Sequence, residues 1–122
     1  MEELVTFRRR FQVWSYTVSH KQLLLRSTKS AGVSTRIDVL FKNVMGIHLP
    51  TLVDEVTIAV LDKEEVPVAI RLGAHHLTST NVYTVQGPNY DGYVIAGSVT
   101  WVEDSLEFDD PSGLVQLPGD AR

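Results

Sequence analysis

A chain of 122 residues sits near the commonest size for one domain, and folding buries about 60% or more of its unfolded surface, enough for a core without crosslinks. It has no cysteine, which excludes disulfides, thiolate catalysis and cysteine zinc sites and agrees with a reducing compartment. The formal charge of −4 weighs against a nucleic-acid module, yet it hides a division. Residues 1–42 hold eight Lys/Arg against three Asp/Glu, a net +5, and residues 43–122 hold three against twelve, a net −9. Folding either turns this division into a dipolar surface that steers partners or interleaves the two halves and cancels it.

The opening, MEELVTFRRRF, has acids where a secretory signal needs bases and bases where it needs an apolar run. Export by that route is therefore not expected, and the chain is read as cytoplasmic. No apolar stretch approaches the roughly 20 residues that span a bilayer, so no membrane span is expected. Arg8, Arg9 and Arg10 between Phe7 and Phe11 form a basic cluster that invites an anion or partner contact. A nucleic-acid footprint extends well past three residues, so nucleic acid is not expected. The competing reading pairs these arginines, on an edge strand, with the acidic second half, which would also fasten the N-terminal segment.

Polarity then alternates with a period near two, the mark of half-buried strands. Phe11, Val13 and Ser15 alternate with Gln12, Trp14 and Tyr16, the polar SHKQ follows, and Leu23–Leu25 come next, so residues 11–27 read as a hairpin with a second arm apolar on both faces. His20 falls in its turn. After the polar loop 27–35, Ile37, Val39 and Phe41 alternate with Arg36, Asp38 and Lys42 in what reads as an amphipathic strand with a wet face. Val44, Ile47 and Leu49 continue an extended segment that carries His48 and ends at Pro50, which cannot donate to a ladder.

EVTIAVL and VPVAIRL, flanking Asp62–Glu65, predict a hairpin of two β-branched arms. VYTVQ and YVIAG across GPNYDG predict another, and SVTWV a further strand. Beyond residue 103 the chain turns acidic and is then punctuated by proline and glycine. The expectation is a single all-β domain over residues 1–110, an antiparallel sandwich or barrel of about seven or eight strands built from consecutive hairpins with little helix. Residues 111–122 are expected to form a flexible tail.

Residues 18–27, VSHKQLLLRS, followed by 36–50, RIDVLFKNVMGIHLP, resemble the opening of a PH-like barrel, in which a hairpin leads to a strand and a short apolar connection. That family closes its barrel with a long amphipathic C-terminal helix, and here the C-terminus is acidic and broken by proline. Phospholipid binding is not carried over, and no family is assigned.

Reaction motifs are lacking: there is no phosphate-cradling glycine loop, no HExxH and no nucleophile elbow. His75 and His76 are adjacent, and on a strand neighbours point to opposite faces, so they share one ion only from a loop. Without a third ligand at readable spacing they fall short of a metal site, and neither metal nor cofactor is called for. The acidic run Glu103, Asp104, Glu107, Asp109 and Asp110 lacks the order of a calcium loop and reads as a solvated acidic edge. Two functions remain. The first is a non-catalytic binding module that engages a protein partner or a second copy through a strand edge or an apolar face, leaving the chain a homo-oligomer. The alternative is a small-molecule or enzymatic pocket that uses His48, His75 or His76 with Asp54 or Glu55.

Overall fold

The computed structural model describes residues 1–67 and 80–114. Two antiparallel five-stranded sheets face each other as a β-sandwich. The strands are β1 (Glu2–Phe7), β2 (Phe11–Thr17), β3 (Gln22–Ser27), β4 (Arg36–Lys42), β5 (Gly46–His48), β6 (Leu52–Val53), β7 (Val56–Val60), β8 (Asn81–Gly87), β9 (Tyr90–Ala96) and β10 (Ser98–Asp104). One sheet runs β1-β7-β8-β9-β5 and the other β10-β4-β3-β2-β6. No α-helix occurs among the described residues; the one helical turn is a 3-10 turn at Lys63–Glu65.

Alternation built the core as expected. Phe11, Leu23, Leu25, Ile37, Val39 and Phe41 from one sheet meet Val56, Ile58, Tyr83, Val85 and Val94 from the other in a single buried cluster. The expected hairpins β2–β3 and β8–β9 form, the first closed through Lys21 at φ 51°, the second by a two-residue turn at Pro88-Asn89. The strand at 36–42 pairs with β3 across the expected loop.

Three expectations are corrected. The hairpin of 55–61 with 66–72 does not form, because β7 is paired on its two sides by β1 and β8; residues 68–72 lie outside the described residues. Local β propensity identified the strand, but its partners come from 40 or more residues of chain away at one side and beyond a long connection at the other. Second, the described residues form ten strands where about seven or eight were expected, and β5 and β6, of three and two residues, are too short to show a period. Third, the chain does not proceed by consecutive hairpins throughout: β10 leaves its neighbour β9 at Gly97 and crosses to pair with β4 in the other sheet.

The strand at 36–42 also has no wet face. Arg36 and Asp38 are 0% exposed and Arg26 beside them on β3 is 1% exposed. Residues 105–114, after β10, lie over this outer face. Arg26 donates from Nη1 to the Phe108 carbonyl at 2.8 Å, and Arg36 donates from Nη1 to the carbonyls of Glu107 (2.6 Å) and Asp110 (2.7 Å). A weaker bond runs from Arg36 Nη2 to the Pro111 carbonyl at 3.4 Å; residues 115–122 of the expected tail lie outside the described residues. Ser112 is buried, and residues 109–112 border a small cavity of about 230 Å³ with Trp14, Leu24 and Arg26. Leu23–Leu25 are therefore covered on one face by the second sheet and on the other by the chain's own C-terminal segment.

Candidate functional site

The link between β1 and β2 carries Arg8, Arg9 and Arg10, off the strands rather than on the expected edge. Each meets a carboxylate of the second half of the chain. Arg8 Nη1 stands 3.6 Å from Glu55, Arg9 Nη1 3.9 Å from Glu103, and Arg10 Nε donates to Asp54 at 2.8 Å. Lys29 with Glu107 and Arg36 with Asp104 continue the pattern. Folding interleaves the basic and acidic halves, and the division along the sequence is cancelled locally. Pairs as exposed as Arg10 and Asp54 are worth about 0–1 kcal/mol each, so they position the link more than they stabilise it.

Arg9 differs from its neighbours in being fixed. Its Nε donates to Ser27 Oγ at 3.1 Å, its Nη1 to Thr35 Oγ1 at 2.9 Å and its Nη2 to the Thr35 carbonyl at 2.7 Å. It clamps the β3–β4 loop against the β1–β2 link. Between those two segments lies an open cleft of about 570 Å³, lined by Arg8, Arg9, Arg10 and Arg26, the hydroxyl residues Ser27, Thr28 and Ser30, and the apolar Val33 and Leu52. Among the described residues no Asp or Glu lines it.

Of the residues expected for a histidine–carboxylate pocket, the described ones, His48, Asp54 and Glu55, are not joined to one another by a hydrogen bond or ion pair. His48 is exposed on β5, where its ring stacks on Tyr93 at 5.3 Å and 19°. Asp54 and Glu55 occupy the link between β6 and β7 and are engaged by Arg10 and Arg8. Neither described cavity is lined by His48, Asp54 or Glu55. His75 and His76 lie outside the described residues. Among the described residues no group of three or more His, Asp or Glu side chains is arranged to hold a metal ion.

Sequence reasoning missed Tyr90, which places the Asp54–Glu55 link. Tyr90 opens β9, and its hydroxyl donates to the Glu55 carbonyl. The ring reaches that carbonyl by passing over Gly87, where an added Cβ would lie 2.3 Å from the Tyr90 ring and 2.7 Å from the Glu55 carbonyl oxygen. The signal was present in GPNY, a glycine opposite a tyrosine across a tight turn. Burial, and then the nearby Glu55 charge, push the Tyr90 phenol up from 10.0 to about 12. The neutral form is thus favoured in the fold. Stability from this group is complete below about pH 10 and is lost as pH rises from 10 towards 12, because the unfolded chain ionises there first. Ultraviolet titration of tyrosinate is expected to show a step near pH 12 that Tyr90→Phe removes; a titration curve whose step near pH 12 survives that substitution, or has no such step, would contradict this placement.

The four sheet edges are unequal. β1 carries Glu2 and Glu3 and has a bulge at Leu4, β5 has three residues and β6 has two. β10 has seven, pairs with β4 in unbroken register, and has no proline or bulge. Among the described residues its far side makes no backbone hydrogen bond. Val99 packs on the core, and Trp101, 39% exposed, meets the Phe7 ring edge-on at 6.3 Å. The acids at its end are matched: Glu103 accepts from Thr35 Oγ1 at 2.6 Å beside Arg9, and Asp104 lies 3.5 Å from Arg36 Nε.

Compared with known proteins, the chain matches no family model, no curated protein and no solved structure.

Proposed function

We propose that the chain is a self-associating β module in which the β10 strands of two copies pair antiparallel, joining two five-stranded sheets into one continuous sheet across a two-fold axis. The observation that carries this reading is the β10 edge itself, seven residues long, in unbroken register and without a backbone partner among the described residues. An unpaired row of N–H and C=O groups is a template for another strand, and the other three edges carry the features that discourage one.

A second copy fits better than a charged stranger. Pairing about Trp101 sets Trp101 against Trp101, Thr100 against Val102, Val99 against Glu103 and Ser98 against Asp104. The acids of the two copies then lie at opposite ends of the ladder rather than against each other. Glu103 and Asp104 are already matched by Arg9 and Arg36, so no surplus charge calls for a basic partner. The apolar leucines of β3 lend no support, since the chain covers both their faces itself.

Sedimentation velocity from low micromolar to near-millimolar concentration is expected to show a monomer–dimer equilibrium. Thr100, exposed and on the opposite face to Val99 and Trp101, tests it without touching the core. Thr100→Lys places two ammonium groups beside the dyad and is expected to weaken the dimer at least about tenfold with an unchanged melting temperature of the monomer. A monomer at every concentration, or a dimer indifferent to that lysine, would sink the reading.

A further inference from the structure

The cleft beside the β1–β2 link points to a ligand. Among the described residues four arginines and no carboxylate line it, in a chain whose total charge is −4. Two of the four are spent: Arg9 is bonded to Ser27 and Thr35, and Arg26 to Asp38 and the Phe108 carbonyl. Their charges are already matched, Arg26 by Asp38 and Arg9 by Glu103, so they fix the shape of the cleft rather than its charge. The other two keep donors in reserve. Arg10 uses Nε on Asp54, and both its Nη groups have no partner among the described residues. Arg8, 83% exposed at its side chain, makes no hydrogen bond among the described residues, and its 3.6 Å approach to Glu55 is a loose surface pair. Across the cleft the hydroxyls of Thr28 and Ser30 have no partner among the described residues, and Leu52, which is exposed, lines it with Val33.

We propose that this cleft binds a small soluble phosphate monoester, with the phosphoryl oxygens between the free donors of Arg8 and Arg10 and the hydroxyls of Thr28 and Ser30, and the organic part against Leu52 and Val33. A lining that offers donors from two walls suits a group with three acceptor oxygens and close to two charges, which competes for Arg8 and Arg10 with the exposed Glu55 and Asp54. A flat carboxylate needs one guanidinium fork, whereas the spare donors here come from two arginines, Arg8 and Arg10, that both line the cleft. The volume lies in the range of small-molecule sites, and the apolar rim gives an organic substituent a surface that inorganic phosphate does not use. Exchange of Asp54 and Glu55 for the ligand costs little, because surface pairs of this kind contribute about 0–1 kcal/mol.

Phenyl phosphate is the probe, titrated by calorimetry against the full chain at fixed ionic strength, with benzoate and inorganic phosphate alongside. Saturable one-site binding is expected, tighter for phenyl phosphate than for either comparison anion and weakened by added salt. Arg10→Gln and Arg8→Gln are each expected to weaken it about tenfold, the loss of one charge-assisted contact. Both residues are surface-exposed, and an unchanged melting temperature confirms that each variant is folded. Three results would overturn the proposal: no saturable heat, benzoate bound as tightly as phenyl phosphate, or affinity indifferent to both substitutions. Binding to phosphatidic acid vesicles without binding to phenyl phosphate would overturn the assignment to a soluble ligand. The dimer proposed above plays no part in these outcomes, since β10 does not line the cleft.

Discussion

Asp38→Ala is expected to destabilise the fold by about 3–5 kcal/mol, more than any surface substitution described above. Asp38 is wholly buried between two buried arginines. Arg26 grips it with both arms of its fork, Nε to Oδ1 at 2.8 Å and Nη2 to Oδ2 at 3.2 Å, and Arg36 Nη2 stands 3.5 Å away. The Trp14 ring covers Arg26 from outside at 4.7 Å. Removing the carboxylate leaves two guanidinium charges out of water with only backbone carbonyls and the partly exposed Asp104 to answer them. Urea denaturation measures the loss directly. Limited proteolysis reads a second consequence: residues 105–114 are held by those same arginines, so cleavage in that segment is expected to accelerate. Replacing all three groups together, Arg26→Met, Asp38→Leu and Arg36→Met, is expected to recover much of the stability, because it removes the buried charges along with their partner. A loss below about 1 kcal/mol for Asp38→Ala would mean that water reaches this face.

This network marks where the sequence was legible and where it was not. Period-two alternation placed β2, β3, β4, β8, β9 and β10 because side chains on a strand must alternate, and that constraint is local. It assigned Arg36 and Asp38 to water because polar residues opposite an apolar face usually are solvated. What buried them is the segment 105–114, which lies about 70 residues further along the chain and shows in the sequence only as an acidic, proline-broken stretch. The same limit explains the misplaced partner of β7. Its β propensity was evident, but pairing order depends on which strands the rest of the sandwich leaves beside it. For the candidate sites, FRRRF was visible as a cluster, and its pairing with the acidic half was among the readings considered. The cleft was not visible, since its second wall is the β3–β4 loop, brought across by Arg9. His48, Asp54 and Glu55 looked alike in sequence as polar groups near apolar runs. The fold separated them by making the first an edge-strand residue stacked on Tyr93 and the other two counter-ions of arginine.

Phe41→Ala is expected to cost about 3–5 kcal/mol for a different reason, the cavity left at the centre of the sandwich. Phe41 is fully buried on β4, flanked by Leu23 of β3 and Val99 of β10 within its own sheet. Its ring crosses the interlayer space to Tyr83 of β8, with centroids 5.8 Å apart and planes at 60°. An edge-to-face pair of this geometry adds about 0.5–1.5 kcal/mol beyond burial, and here it joins the two sheets directly. Alanine removes both contributions, and neighbours anchored in two paired ladders have little freedom to fill the gap. Phe41→Leu keeps most of the volume and is expected to cost far less, under about 2 kcal/mol. Trp101→Ala provides the contrast: a larger ring is removed, but from the half-exposed rim, so its loss is expected to fall below that of Phe41→Ala. Urea midpoints at a constant denaturant slope rank the three. Since a domain of this size has about 5–15 kcal/mol in all, Phe41→Ala alone consumes a large share. If Trp101→Ala proved the costlier substitution, the weight of the sandwich would rest on its open edge and not on the ring that bridges its two layers.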